Sequence, residues 1–482
     1  MPFAASVFLE FNLPNGTTWF YFSFLLAIAL FFKFGRVLSF RNLDVILMFL
    51  LVPGFLLLLE AKPNVVLPER EPALAAARLV AVSAGTSFDG GASAAVASTF
   101  AADPLLFASS WLWWGYLWLL AGSAILMIRC LVDLALVSRP ALTPNLTLGG
   151  LAWFAGALFV CLMAVAFRPE RTQGGSVPPP HKSVVEKQAK PIGPETTALA
   201  LAQGSLESAL RYWSTRSLAV LCHLAVVIGL VVIGYRHFQD ASAGMAAATF
   251  YLMLPYTGMH VGQAHHVWPM ALVVWAIAAY RMPRLSGMLL GLASVTAYVP
   301  ALLLPIWISF YWRRGVLRFL SGYLFTVGLG LAAIALVIFS MEDLSRILRE
   351  GLSLAGWQPW RVPTTEGFWT GVHWAYRIPI FIAYLAFVIT TAFWPAPKSL
   401  AHVIALSAAV LIGIQFWYAD QGGVYVLWYL PLLMLMVFRP NLSDRRPALL
   451  QTDADWFGRT RRLIGKLTGR LAKPSDMPIK AA

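Results

Sequence analysis

The sequence predicts an all-α, polytopic integral membrane protein of about 11–13 transmembrane helices, with its N-terminus outside and its C-terminus in the cytoplasm. Three observations predict this. Hydrophobic residues fill 59% of the 482 positions and charged residues only 12%, whereas a soluble globular chain carries about a quarter charged residues. The apolar positions gather into runs near the roughly 20 residues that a helix needs to cross a hydrocarbon core. Finally, 22 of the 36 Lys and Arg residues fall on one side of the implied membrane together with 7 acids, while the other side holds 14 basic and 15 acidic residues. That asymmetry follows the positive-inside rule. The net charge of +14 is therefore topological, and no nucleic-acid partner is expected.

Taken in order, the first run, Thr17 to Phe32, has no basic residue before it and Lys33, Arg36 and Arg41 after it. This is the reverse of a cleavable signal peptide, so the run reads as a retained span near 17–33. Apolar runs between charged or turn-forming residues place further helices near 43–60, 104–131, 148–167, 215–235, 243–258 and 267–281. The same reading gives 316–340, 374–394, 399–417 and 424–438. Between Arg284 and Arg313 lies an apolar stretch that as one rod would be about 42 Å long against a core of about 30 Å. One crossing there would also send the basic tail outside. Pro300 clashes with the preceding turn and lacks an N–H, so a hairpin with its apex at Ser294 to Pro300 is expected. The count is then thirteen hydrophobic passes within a transmembrane domain, 1–438.

Outward loops are expected at 61–103, 168–213 and 341–372. Asp103-Pro104 reads as the opening of the next helix, with Asp103 as a cap. Residues 439–482 form a basic cytoplasmic tail in which Trp456, Leu463, Ile464, Leu467 and Leu471 recur at helical spacing opposite Arg459, Arg461, Arg462, Lys466 and Arg470. Such a helix lies on an anionic leaflet; a disordered tail is the alternative. Cys130, Cys161 and Cys222 sit in or at the ends of hydrophobic runs, which excludes a disulfide framework or a CxxC metal site.

Polar residues, a helix break and flanking positive charge converge between Tyr251 and Arg318. This stretch holds Leu254-Pro255, the polar turn His260-Val261-Gly262-Gln263-Ala264-His265-His266, the run Leu285-Ser286-Gly287-Met288-Leu289-Leu290-Gly291, Pro300 and Arg313-Arg314. Its order resembles glycosyltransferase family 87, the polyprenyl-phosphate-mannose-dependent mannosyltransferases of the GT-C superfamily. Their pattern is Pro, a Gly-Gln turn, a Gly-Leu-Leu-Leu-Gly-like helix, a Lys-x-x-Pro break and a basic cluster. The lysine is missing here, with Ala297 or Tyr298 near its place.

The resemblance implies a GT-C-like arrangement and a transfer reaction on the outer face, in a bacterial cytoplasmic (inner) membrane. A hexose, mannose in that family, leaves a polyprenyl-phosphate-linked donor and is captured by a hydroxyl of a lipid or glycan acceptor, among membrane lipids. Such chemistry asks for a carboxylate to take the acceptor proton, and for positive charge or N–H donors on the departing phosphate. Family members draw the base from an Asp in the first outward loop. Asp89 is the first choice, because its glycine neighbours let backbone approach a ligand, and Asp103 is the second. Glu60 and Glu69 are further candidates. Asp89 also reads simply as a turn residue.

For the phosphate, Arg216 and Arg377 stand at the outer ends of spans, where an arginine grips phosphate bidentately or snorkels to lipid headgroups. Tyr298 could donate a hydrogen bond there but could not neutralise charge. Gln263 matches the family's turn residue and is expected to line one outer cavity with His260, His265, His266 and Tyr298. Three histidines within seven residues leave a divalent metal open, against which stand the divergent directions of His265 and His266 on a helix and the lack of a nearby carboxylate. Packing is the remaining reading of these histidines, and no other cofactor is expected. Two other functions compete. One is a lipid or glycan flippase or transporter, although no ionisable group falls deep in an expected span and no inverted repeat is evident. The other is a catalytically inactive GT-C-like scaffold subunit, which the missing lysine keeps open.

Overall fold

A computed structural model of the chain describes residues 16–65, 91–136, 142–167, 206–339, 359–360, 363, 367–442 and 444–447. All regular structure among these residues is helical. In chain order the helices are α1 (Gly16–Phe31), α2 (Phe40–Leu47), α3 (Val52–Val65), α4 (Gly91–Asp133), α5 (Leu148–Ala166) and α6 (Leu206–Ile233). Then come α7 (Ala241–Met253), α8 (Pro255–Met259), α9 (Ala264–Ala278), α10 (Pro283–Ala297), α11 (Leu304–Phe310) and α12 (Val316–Phe339), followed by α13 (Arg377–Phe393), α14 (Leu400–Trp417) and α15 (Leu430–Phe438). Among the described residues seven apolar helical stretches are long enough to cross a membrane, and shorter apolar helices accompany them. The protein is thus an all-α, multi-pass membrane protein.

Local chemistry sets most boundaries. Ser39, Thr147 and Asp240 cap α2, α5 and α7 by accepting from the backbone N–H of Asn42, Gly150 and Ala243. Ser399 and His402 form a reciprocal capping box on α14. Proline stands in the first turn of α8, α10, α11 and α15, where its missing N–H costs nothing.

Three expectations need correction. Helix α4 begins at Gly91 rather than near 104, so Asp103 lies inside a helix instead of capping its start. The run Ala92–Ala102 is alanine-rich, and that strong propensity carries the helix upstream across Pro104. The expected helix 243–258 is split at Leu254, which Pro255 holds extended (φ −63°, ψ 137°). The expected helix 424–438 is helical in earnest only from Leu430; the segment Tyr418–Tyr429 before it is largely irregular and mostly buried. Asp89, Glu69, the tail beyond Pro447 with its expected amphipathic helix, and most of the expected outward loops lie outside the described residues.

Helix ends gather at two levels. At the basic end, Lys33 Nζ donates to Asn145, Tyr311 OH donates to the Tyr280 carbonyl, and Arg314 donates to the Pro447 carbonyl. There too Lys398 Nζ donates to Ser309 Oγ (2.8 Å) and to the Ala392 and Pro395 carbonyls, and burial pushes its ammonium down to about 8. Leu400 N–H donates to the Arg445 carbonyl, so the first residues of the tail are stitched to the bundle. At the opposite end Trp113 stacks on Phe368, Phe55 meets Tyr256, and Trp369 Nε1 donates to the Phe416 carbonyl. Helices α7, α9, α14 and α15 are enclosed, whereas α5, α12 and α13 leave wide apolar faces exposed, as helices against lipid do.

The stretch around Pro300 is a hairpin, as expected. Helix α10 stops at Tyr298, a short 3-10 turn covers Val299–Leu303, and α11 returns. The return brings Tyr311 back beside Tyr280. Consequently α10 and α12 run parallel: Arg284 faces Gly322, Gly291 faces Tyr323 and Thr326, and Val295 faces Gly330. Glycines permit this close approach, since a Cβ at Gly287 would overlap the Phe319 carbonyl and one at Gly322 the Arg284 carbonyl. Gly287→Ala is therefore expected to lower the thermal midpoint of purified protein by about 1–3 kcal/mol equivalent through overpacking. Gly328→Ala, whose Cβ would meet nothing, should leave the midpoint level or raise it. Equal midpoints for the two variants would show that α10 and α12 do not meet as described.

Candidate functional site

The Gly-Gln turn is built by a chain of local causes. Pro255 ends α7 and opens the one-turn helix α8, and Thr257 Oγ1 locks the kink by donating to the Tyr251 carbonyl (2.6 Å). The backbone then passes through His260, Val261 and Gly262 to Gln263, whose extended conformation (φ −107°, ψ 92°) starts α9. Gln263 gives no side-chain cap to that helix; its Oε1 instead lies 3.3 Å from His260 Nδ1. The first N–H groups of α9 accordingly have no side-chain cap from Gln263, and they carry the partial positive charge of a helix start.

Arg216 of α6 closes over this turn. Its guanidinium lies so near the Gly262 backbone that a Cβ there would overlap it. Only glycine admits the arginine, which explains the glycine without any demand from φ. Arg216 itself is half-buried. A guanidinium, uncapped helical N–H groups and backbone at close approach together form an environment suited to an anion.

The three expected histidines do meet, as a stack and not as a ligand shell. His266 is fully buried between His260 (ring centroids 4.4 Å, 26°) and Tyr425 (5.5 Å, 25°), with half-buried His265 at 4.5 Å. Neither ring nitrogen of His266 has a hydrogen-bond partner among the described residues. Among those residues no three His, Cys, Asp or Glu side chains converge as metal ligands. Face-to-face rings turn their nitrogens along edges rather than toward one point, which is the physical reason. His223 of α6, which was not singled out in the sequence, pairs with Tyr251 OH through Nδ1 (2.8 Å).

Tyr298 stands at the hairpin apex with φ +58°, a conformation that non-glycine residues adopt only under constraint. Its N–H donates to the Ser294 carbonyl and its carbonyl accepts from Ala301. Burial pushes its phenol above the ordinary value, so it stays a neutral donor. Two residues earlier, Thr296 Oγ1 accepts from Trp268 Nε1 (3.0 Å), which ties this apex to the first half of α9.

Arg377 stands on an element other than those that build the turn. It is the first residue of α13 and is 1% exposed, one turn ahead of Phe381, whose ring meets Trp417. Its guanidinium is enclosed by the bundle. Asp103 lies on the backbone of α4 with its side chain outside the described residues, and Asp89 lies outside them altogether.

Sequence reasoning missed Asp420. It sits in the irregular segment after α14 and is 5% exposed. The turn Asp420-Gln421-Gly422-Gly423 carries two positive φ angles, 44° at Gln421 and 88° at Gly423. A Cβ at Gly422 would press on the Gln415 carbonyl and one at Gly423 on Leu119, so glycine is required at both. Tyr418 and Tyr425 close the neck of the turn edge to face, and Tyr425 continues onto His266. The available signal was a polar Asp-Gln-Gly-Gly run between two apolar segments. Comparison with protein-family models, with curated proteins and with solved structures gives no match for this chain.

Proposed function

We propose that the protein is a GT-C-type membrane glycosyltransferase. It transfers a hexose from a polyprenyl-phosphate sugar to a lipid or glycan acceptor on the face away from the basic end. In this reading the chain makes thirteen passes, with its N-terminus outside and its C-terminus in the cytoplasm. The observation that carries the proposal is the Arg216 guanidinium resting on Gly262 at the start of α9, beside the broken α10–α11 hairpin. The departing lipid phosphate takes charge-assisted hydrogen bonds from Arg216 and from the N–H groups of the α9 start. Tyr298 adds a neutral donor in place of the family's lysine. The acceptor oxygen loses its proton to a carboxylate and bonds to the anomeric carbon as the bond from that carbon to the phosphate oxygen breaks. Asp89 is the first candidate for this base and Asp103 the second.

Membranes containing the protein, given polyprenyl phosphate carrying radiolabelled mannose or glucose, are expected to yield a labelled acceptor, and Asp89→Asn is expected to abolish the product. Cysteine placed at Gln263 or Tyr298 should react with an impermeant thiol reagent only from the outer side. No labelled product from either sugar in wild-type membranes would refute transfer and leave a flippase or an inactive scaffold. Labelling of Gln263→Cys from the cytoplasmic side alone would overturn the topology.

A further inference from the structure

We infer that the arginines gathered around His237 at the basic end form a headgroup site for an anionic phospholipid of the adjoining leaflet. The inference goes beyond the transfer reaction and uses none of the residues assigned to it.

Three elements build the site. Helix α6 runs on past Ile233 into one wider, π-helical turn, Gly234–Phe238, which carries Arg236 and His237. Turns of this kind recur at functional positions. Gly229 lets α6 pack closely on Val274 of α9, and His237 fixes the end of that contact. Its Nε2 donates to the Ala278 carbonyl (2.8 Å), and its ring meets Tyr280 edge to face at 4.7 Å. Arg281 follows, with its guanidinium 5.8 Å from the centre of the Tyr280 ring. The third element is the start of the tail, where the Arg445 carbonyl accepts from Leu400 N–H and the Pro447 carbonyl from Arg314. Arg236, Arg281 and Arg445 all act electrostatically on His237, and no carboxylate among the described residues does.

The charges at this end call for an anion. Asp44 and Asp133 are taken up by Arg129 and Arg439, and Asp240 caps α7. Among the described residues there, exposed Asp444 is the acid that remains, against Arg236, Arg281, Arg284, Arg445 and Arg446. None of these five arginines makes an ion pair with a described residue. A lipid fits better than a free anion because an exposed apolar side chain adjoins three of them. Tyr235 beside Arg236, Met282 beside Arg281 and Leu285 beside Arg284 are 70%, 53% and 40% exposed. Phosphate at the guanidinium groups and acyl chains along these side chains match the two parts of a phospholipid. A zwitterionic headgroup brings an ammonium that the arginines repel, so the lipid is a phosphodiester without an amine.

The test is retention of radiolabelled phosphatidylglycerol on immobilised full-length protein in detergent, competed by unlabelled phosphatidylglycerol, phosphatidylcholine or inorganic phosphate. Wild type is expected to prefer phosphatidylglycerol to phosphatidylcholine by about 30-fold. Arg236→Gln combined with Arg281→Gln should bring that ratio close to one, roughly fivefold being lost with each arginine. Lys33→Gln combined with Arg41→Gln removes the same charge from the corner between α1 and α2, where these side chains bond to Asn145 and Thr143, and should keep the preference. Arg236 and Arg281 are exposed, so the thermal midpoint of their double variant should hold. If that variant does not fold, Arg445→Gln decides the matter, with a loss of about fivefold expected. Equal retention of the two lipids by wild type overturns the inference, and so does an unchanged preference in the arginine variants. An equal loss in the Lys33 and Arg41 control overturns it in favour of diffuse surface charge. Competition by inorganic phosphate as strong as that by phosphatidylglycerol overturns the lipid as occupant in favour of a free anion.

Discussion

Under the transfer function proposed above, Gly262→Ala is expected to cut hexose transfer by about 100-fold or more, the loss seen when a donor to developing charge is removed from a site, while the protein stays folded. The methyl group would stand where the Arg216 guanidinium now lies. What it displaces is the far end of a flexible side chain, so the arginine swings away and the turn survives. Gly262 is not at a positive φ, so alanine meets no backbone penalty there. Arg216→Gln should lose a similar factor with the turn intact. The double variant should be no worse than either single one, because both remove the same contact. The measurement is label transfer together with the thermal midpoint. Independent, multiplying losses would show that Gly262 acts through something other than the arginine. Full transfer by Arg216→Gln would remove that residue from the site.

Asp133→Ala is expected to leave little folded protein. At the basic end Arg129, Asp44, Asp133 and Arg439 form a buried chain of ion pairs. Arg129 makes a bidentate pair with Asp44 (2.6 and 2.9 Å) and reaches Asp133 at 3.3 Å, and Asp133 in turn accepts from Arg439 Nε at 3.0 Å. These contacts join the ends of α2, α4 and α15. Removing the shared carboxylate strands Arg439, and breaking a buried pair in this way costs about 3–5 kcal/mol. The readouts are the thermal midpoint and the monodisperse fraction on size exclusion. Because the cost is that of an uncompensated charge, Asp133→Leu combined with Arg439→Met should recover much of the loss. A double variant worse than Asp133→Ala would contradict this account.

Much of the helical frame was legible because its causes are local. Pro300 broke the hairpin near the expected residues, whereas the break that Pro255 makes inside the expected helix 243–258 was passed over. Asp103 was misplaced because Pro104 outweighed the alanine-rich run before it. Asp420 was passed over because a polar residue beside two glycines looks like an ordinary surface turn until the rest of the bundle is seen to bury it.

By itself the sequence determined that the chain is helical, that it crosses a membrane many times, and that it turns back near Pro300. Each of these follows from the free energy of a short segment against lipid or water, which neighbours twenty residues away hardly change. Only the tertiary structure decided that Arg216 covers Gly262, that Arg439 closes on Asp133, and that Asp420 is enclosed. Such meetings join residues far apart in the chain. Their energies depend on which helices pack side by side, and no local pattern encodes that.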